Sequence, residues 1–319
     1  MKVLKVLINR DPVVGPWGGG ARFLEAFHSM ARENGIEIVK TLQQSPDVIF
    51  IFHPDEEITT AGSISNGKAE VNMTIRGVSF DAALEHKRNH PDVQIIVRVN
   101  ECDARKRTTG VDEKWMHMIQ RSDHAFYVSK WMETYFDSRI QHVQKSSVII
   151  NGVDRSLFKR AKKISDVTGK VNIVCAHWSD NFFKGQDVYE FLDRFVRTHQ
   201  DFTFTFIGRT KANLKHSHLV SALDPKDLAL ELSRYDVCVN GSRFDPGPNA
   251  VIESIAAGLP TYVHADGGGG VDFAGAEHAF KTLPELENIL LSKNYPANPD
   301  IFRSWGDVMA RVFDRIKSL

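Results

Sequence analysis

Ser242-Arg-Phe-Asp-Pro-Gly-Pro-Asn-Ala-Val-Ile-Glu253, running on into Ser254-Ile-Ala-Ala-Gly-Leu-Pro260, is the stretch on which the fold turns. The apolar run Asp236-Val-Cys-Val-Asn240 precedes it and reads as a strand. A loop rich in Gly and Pro follows, then a helix over 250–257 that starts near Asn249. The free N–H groups of such a start suit a phosphate or another electron-rich ligand. In an open α/β sheet, the loop at the carboxyl end of a strand is where ligands bind. Asp245 lies on the loop and Glu253 a turn into the helix, so two carboxylates can address different hydroxyls of one extended ligand.

The same strand–loop–helix grammar extends to both sides. Short apolar runs at 3–8, 47–52, 94–99, 124–129 and 147–150 have the character of strands buried on both faces. Phe23, Leu24, Phe27 and Met30 give 21–34 helical spacing, and 80–89 is a charged helix. Residues 159–170 are polar and charged and read as a linker or surface loop. The cycle then restarts with a strand at 171–176 and a helix at 187–198. Phe202-Thr-Phe-Thr-Phe-Ile207 follows, alternating Phe and Thr as a strand does. A helix at 228–235 and a strand at 261–263 continue the series. Strands alternating with helices, twice over, predict two Rossmann-like, doubly wound parallel sheets. Trp305, Met309, Val312, Phe313 and Ile316 form the stripe of a terminal helix.

Bulk properties agree. The 319 residues favour two domains, and 42 % hydrophobic with 25 % charged residues is enough for two cores. Forty basic and forty acidic residues cancel, so no global field holds nucleic acid or an anionic membrane. Cys102, Cys175 and Cys238 form no CxxC pair, which supports neither a zinc knuckle nor a disulfide framework; a reducing cytosol fits best. The N-terminus reads as a first strand, not a signal peptide, and no run reaches the roughly 18 apolar residues of a membrane span. A cytoplasmic, soluble protein is expected, with peripheral membrane contact and oligomeric state left open.

The segment at 242–260 resembles the signature of GT-B-fold retaining glycosyltransferases, in particular family 4. There a Glu, seven residues and a second Glu sit in a Gly-Phe-Pro-Asn-like loop before Glu-Ala-Met-Ala-Cys-Gly-Leu-Pro. Here Asp245 stands for the first Glu, one methylene shorter, and Glu253 for the second, which in the family binds ribose hydroxyls. Val148-Ile-Ile-Asn-Gly-Val-Asp154 with Phe158 is similar to the family's interdomain Pro-Asn-Gly-Val-Asp segment and is read as a glycine-permitted turn. His177-Trp-Ser-Asp-Asn-Phe-Phe-Lys184-Gly185 occupies the place of a Gly-Arg-Leu…Lys-Gly loop that binds the donor diphosphate. Lys184 matches the Lys; the Arg has no match, and Ser179 is the neutral donor near its place.

The resemblance covers nearly the whole chain. It implies an N-terminal acceptor domain over 1–155, joined by the helix 302–319 crossing back to it, and a donor domain over 156–301, facing each other across a cleft. Gly19 and Gly20, in the loop Pro16-Trp-Gly-Gly-Gly-Ala-Arg22, face the donor phosphate; alone, a glycine loop is weak evidence. Arg209 follows the strand at 202–207 and is a candidate for phosphates or base. Gly247, Pro248, Asn249, Ala250 and Val251 present the helix start. Asn100 stands near the place of a family His, with Arg98, Glu101 and Asp103 as candidate acceptor ligands. Arg105, Lys106 and Arg107 read as a solvated turn that is also able to touch an anionic acceptor. Asp266 to Gly270, with Asp272, reads as cleft wall and hinge.

The implied catalytic set is Asp245, Lys184 and Asn100, with a UDP- or GDP-linked sugar as co-substrate, a glycan or glycoconjugate as acceptor, and neither metal nor cofactor. No Asp-x-Asp, HExxH, GxSxG or Walker pattern occurs. Two alternatives stay open: a GT-B-fold sugar-nucleotide epimerase, and a non-catalytic nucleotide- or carbohydrate-binding relative. Glu253→Ala and Lys184→Ala are each expected to abolish the thermal shift produced by the donor, measured by melting with and without nucleotide sugar; unchanged donor affinity in both would remove the assignment.

Overall fold

The computed structural model describes residues 3–12, 18–54, 57–65, 68–76, 78–140, 145–159, 169–177 and 180–319, with backbone alone for 57–65 and 68–76. The first sheet is built from β1 (Leu4–Ile8), β2 (Ile36–Val39), β3 (Val48–Ile51), then, after the hairpin β4 (Glu57–Ser65) and β5 (Lys68–Arg76), from β6 (Gln94–Val99), β7 (His124–Tyr127) and β8 (Lys145–Val148). Its order is β2-β1-β3-β6-β7-β8, every pair parallel. Helices α1 (Gly19–Met30), α2 (Phe80–Asn89), α3 (Val111–Arg121) and α4 (Lys130–Asp137) flank it.

The second sheet takes β9 (Val171–His177), β10 (Phe202–Gly208), β11 (His218–Val220), β12 (Val237–Asn240), β13 (Thr261–His264) and β14 (Ala279–Phe280). Its order is β11-β10-β9-β12-β13-β14, again wholly parallel. Around it lie α5 (Gln186–Thr198), α6 (Pro225–Leu232), α7 (Asn249–Ala256), α8 (Gly269–Ala274) and α9 (Leu283–Ser292), and the chain ends in α10 (Trp305–Lys317).

These elements follow from burial on both faces. Val48 to Ile51 and Ile95 to Val99 are all buried, as a parallel strand covered by helices requires. In β10 the Phe side chains enter one core with Val188, Tyr189, Leu192, Phe195 and Val196 of α5, a stripe at helical spacing. Ser79, Ser129, Asp224, Thr282 and Ser304 cap their helices by accepting backbone N–H groups. The first helix is shorter than expected: it ends at Met30, and Gly35, at φ 70°, turns the chain into β2. The hairpin β4–β5 was not expected; the linker at 160–168 lies outside the described residues. No helix among the described residues is long and apolar enough to cross a membrane.

Several features join the halves. Helix α10 packs Val308, Met309, Val312, Phe313 and Ile316 into the core that holds Phe23 and Phe27 of α1. The chain reaches it along a crossing at which Val153 N–H donates to Arg303 C=O (3.0 Å) and Arg155 forks onto Asp300 (2.6 and 2.8 Å). Gly152 is needed here for close approach and not for a turn: its φ is not positive, and a Cβ would lie 2.8 Å from Trp305 Cα. On the far side, Asp272 accepts the N–H of Trp131 (2.5 Å), so a carboxylate of the second sheet's α8 stands at the N-terminus of α4.

Phe313 is fully buried, 5.1 Å from Phe27 between ring centroids. Phe313→Ala is expected to cost about 3–5 kcal/mol in urea unfolding, because the cavity it leaves lies between α1 and α10 and neither helix can collapse freely. A loss under about 1 kcal/mol would mean that α10 is not part of that core.

Candidate active site

In both sheets the strand order reverses at a point where a ligand crevice is expected. The second sheet reverses between β9 and β12, whose following loops carry Lys184 and Asp245. The first reverses between β1 and β3, and the loop after β1 leads into Gly18 and Gly19 at the start of α1. The two reversal points face one another. A Cβ on Gly19 would lie 2.3 Å from Asn151 Nδ2 and 2.5 Å from Asn249 Oδ1, so any side chain here would have to displace these two amides. A cavity of about 150 Å³ lies in the cleft between them.

Lys184 ends a 3-10 turn, Phe182–Lys184, whose cap Asn181 accepts the Phe183 N–H (2.8 Å). Gly185 follows at φ 96°, with its Cβ position 2.6 Å from Gly241. Arg243 N–H donates to Phe183 C=O (2.7 Å), and the Arg243 guanidinium forks onto Asp187 (2.8 and 2.7 Å), which ties the two loops together. Next comes Phe244 in the left-handed region, φ 54°, a conformation costing a non-glycine residue roughly 1–3 kcal/mol. It is held because its N–H donates to Asp266 C=O (2.8 Å) and the next carbonyl, that of Asp245, accepts Gly269 N–H (2.8 Å). The strained turn aims Asp245 back at Lys184, and their side chains form an ion pair, 13 % and 4 % exposed.

Burial pushes the Asp245 carboxyl up, but Lys184 and then Arg105 outweigh it and hold it at about 2. Burial likewise pulls the Lys184 ammonium down, with Asp245 opposing. Glu253 is different. Burial raises it to about 7, and Arg22 only partly offsets this. Helix α7 starts at Pro248 with no side-chain cap, and neither Asn249 nor Ala250 N–H has a hydrogen-bond partner among the described residues. Two backbone donors and the helix dipole therefore point at the cleft, a ready anion site.

The expected residues divide. Gly19, Lys184, Asp245, Gly247, Pro248, Asn249, Ala250 and Glu253 all line the one cleft. Gly20 instead backs onto Phe52, and Val251 is wholly buried in the core behind α7. Arg209 is exposed beyond β10, and Asn100 is half-buried just after β6. Ser179 lies outside the described residues.

The acceptor assignments need correction. Arg98 is 1 % exposed: its guanidinium lies over the rings of Phe23 (4.1 Å) and Phe52 (5.1 Å) and donates to Asn151 (2.6 Å). Asn151 in turn donates to Asn249 (2.8 Å), so Arg98 braces the interdomain contact from within and offers nothing to a ligand. Asp103 accepts the N–H groups of Val111 (3.3 Å) and Asp112 (2.9 Å) and is committed to starting α3. Glu101 is engaged by Arg105 (2.9 Å) and Lys106 (2.8 Å).

Sequence reasoning gave no role to three polar residues that line the cleft, Arg22, His177 and Asn240, and read a fourth, Arg105, as part of a solvated turn able to touch an anionic acceptor. His177 and Asn240 end the two strands that flank the reversal point, a position that signals exposure to a ligand. For Arg22 and Arg105, no local pattern separates a cleft arginine from a solvated one.

No family model and no curated protein sequence matches the chain. Solved structures do. Sucrose-phosphate synthase (tll1590) from Thermosynechococcus elongatus superposes with a TM-score of 0.66 at 13 % identity, over 99 % of this chain and 98 % of that one. Anabaena Alr3699/HepE in complex with UDP and glucose gives 0.66 at 11 % identity, over 99 % and 100 %. WaaG, a glycosyltransferase involved in lipopolysaccharide biosynthesis, gives 0.56 at 12 %, over 98 % and 95 %. The architecture is the two-domain GT-B fold.

Folding changes the proton affinity of Glu253. Its carboxyl moves from the ordinary 4.5 to about 7 on folding, so the folded state holds the proton more tightly than the unfolded chain. The stability this confers is complete below about pH 4.5 and lost as pH rises through 7, an amount up to about 3 kcal/mol. Glu253→Gln is therefore expected to melt higher than the natural protein at pH 8, with the advantage vanishing toward pH 4.5. Equal melting curves across that range would show that Glu253 is an ordinary solvated carboxylate.

Proposed function

We propose that the chain is a glycosyltransferase that moves a hexose or deoxyhexose from a nucleoside-diphosphate sugar to a hydroxyl of a glycan or glycoconjugate. One observation carries this: an uncapped helix start, an ammonium–carboxylate pair and a second carboxylate a turn away meet at the strand-reversal point of one sheet, with a glycine loop of the other sheet against them. The likeness to HepE, solved in complex with UDP-glucose, puts a uridine donor first, with GDP-linked sugars next.

In this reading the base lies against Ile207, Gly208, Ala222 and Leu223, and the ribose hydroxyls meet Glu253. The diphosphate takes the free N–H groups of Asn249 and Ala250 and the ammonium of Lys184. These donors are fixed before the reaction, so they stabilise the charge that develops as the sugar–phosphate bond breaks. Asp245 holds Lys184 and presents its other carboxylate oxygen toward the sugar. Asn100, at the end of β6, offers an uncharged amide to sugar or acceptor hydroxyls. The acceptor oxygen attacks the anomeric carbon from the face the diphosphate leaves, and a departing phosphate oxygen takes its proton, which retains configuration and needs no metal ion. Closure of the two domains excludes water and limits hydrolysis. A cytoplasmic setting is in keeping with three free, buried cysteines.

Melting the protein against UDP-, GDP- and dTDP-sugars is the first test, with a stabilising shift expected for one base and little for the others. The protein with donor alone is then expected to return the sugar unchanged apart from slow hydrolysis. An epimerised nucleotide sugar would replace transfer by isomerisation, and donor binding with no turnover against any acceptor would leave a binding protein.

A further inference from the structure

We propose that Arg105, reaching into the cleft from the first sheet's domain, is the guanidinium that takes the donor diphosphate opposite Lys184. This rests on the nucleotide-sugar reading above and adds to it a phosphate-binding residue supplied by the other domain.

Arg105 ends the 3-10 turn Asp103–Arg105 on the loop after β6, yet it lines the same cleft as Lys184, Asp245 and the start of α7. Its Nη1 donates to Glu101 Oε2 (2.9 Å), while its Nε is buried without a hydrogen-bond partner among the described residues. Glu101 Oε2 also accepts from Lys106 Nζ (2.8 Å). Glu101 therefore keeps a cationic partner when Arg105 turns toward another anion.

Charge counting points the same way. Three Lys or Arg side chains line the cleft among the described residues: Arg22, Arg105 and Lys184. Lys184 is already neutralised by Asp245, and Arg22 faces Glu253 and lies 3.7 Å from Glu25. A diphosphate bound by Lys184 and two amides alone would keep most of its charge. Arg105 also has a carboxylate partner, but Glu101 is shared with Lys106, and the planar fork of Arg105 matches two phosphate oxygens where an ammonium matches one. Its field is felt at both partners: it helps hold Asp245 ionised and opposes the charge on Lys184. An anion placed between the two cations turns that repulsion into a clamp. Because the clamp has one jaw on each domain, phosphate binding and domain closure become one event.

The test is calorimetric titration of wild type, Arg105→Ala and Arg105→Lys with whichever of UDP, GDP and dTDP binds the wild-type protein, then with the matching nucleoside. Arg105→Ala is expected to weaken the diphosphate at least tenfold and to leave the nucleoside unchanged. Arg105→Lys, which keeps the charge and the Glu101 contact but loses the fork, is expected to fall between, and it decides the matter if the alanine variant is misfolded. Equal diphosphate affinity in wild type and variants overturns the proposal, as does an equal loss for nucleoside and diphosphate, which marks a structural role. A wild-type protein that binds none of the three diphosphates overturns the nucleotide-sugar reading itself, and this proposal with it.

Discussion

The buried pair of Lys184 and Asp245 is the constraint around which the second domain is organised. Two charges with side chains 13 % and 4 % exposed lose most of their hydration, and a pair of this kind persists only where geometry and further hydrogen bonds compensate. The compensation is visible in the loops. Gly247 N–H reaches Asp245 Oδ1 (3.3 Å), Arg243 locks onto Asp187, and Phe244 is forced into a left-handed turn that a bulky residue avoids. The strain and the buried charges are both unfavourable in isolation. Together they fix a cation and an anion at the strand-reversal point, where no hydrophobic substitute would leave a polar surface.

The second constraint lies between the domains. Arg98, Asn151 and Asn249 form a hydrogen-bonded chain from the core of the first sheet to the first residue of α7. Gly19 packs onto it so closely that a side chain would have to displace the two amides. The helix start proposed to hold the phosphate is therefore positioned partly by the opposite domain. Asp272 at the start of α4 makes the reciprocal contact. The cleft is bounded on both sides by groups that each domain lends to the other, so its shape depends on closure.

Within the cleft the two carboxylates have been driven in opposite directions. Asp245, flanked by Lys184 and Arg105, stays ionised down to about pH 2, whereas Glu253, raised by burial that Arg22 only partly offsets, holds its proton to about pH 7. Desolvation raises both, so the difference is one of neighbours. For a protein proposed to grip a sugar nucleotide, it means that Glu253 waits for partners: hydroxyl donors from a ligand are what would favour its ionised form.

The sequence by itself determined two parallel α/β domains, an amphipathic terminal helix, whose return to the first core only the family resemblance implied, and the loop–helix segment that holds Asp245 and Glu253. Continuous apolar runs, helical stripes and glycine-rich strand ends are properties of neighbouring residues, and they survive without knowledge of the rest. The hairpin β4–β5 was missed although Asn66-Gly67 between two Thr- and Ile-containing runs carries its signal. The tertiary structure alone decided which charge goes where. Arg98, Asp103 and Arg105 lie within eight consecutive residues, yet one is stacked in a core, one starts a helix and one faces the cleft. Asp103 is settled by Val111 and Asp112 nearby, but Arg98 depends on Asn151, 53 residues away, as Lys184 depends on Asp245, 61 residues away. Local pattern encodes burial and turns, but the pairing of a charge is set by which distant loop the fold brings to it.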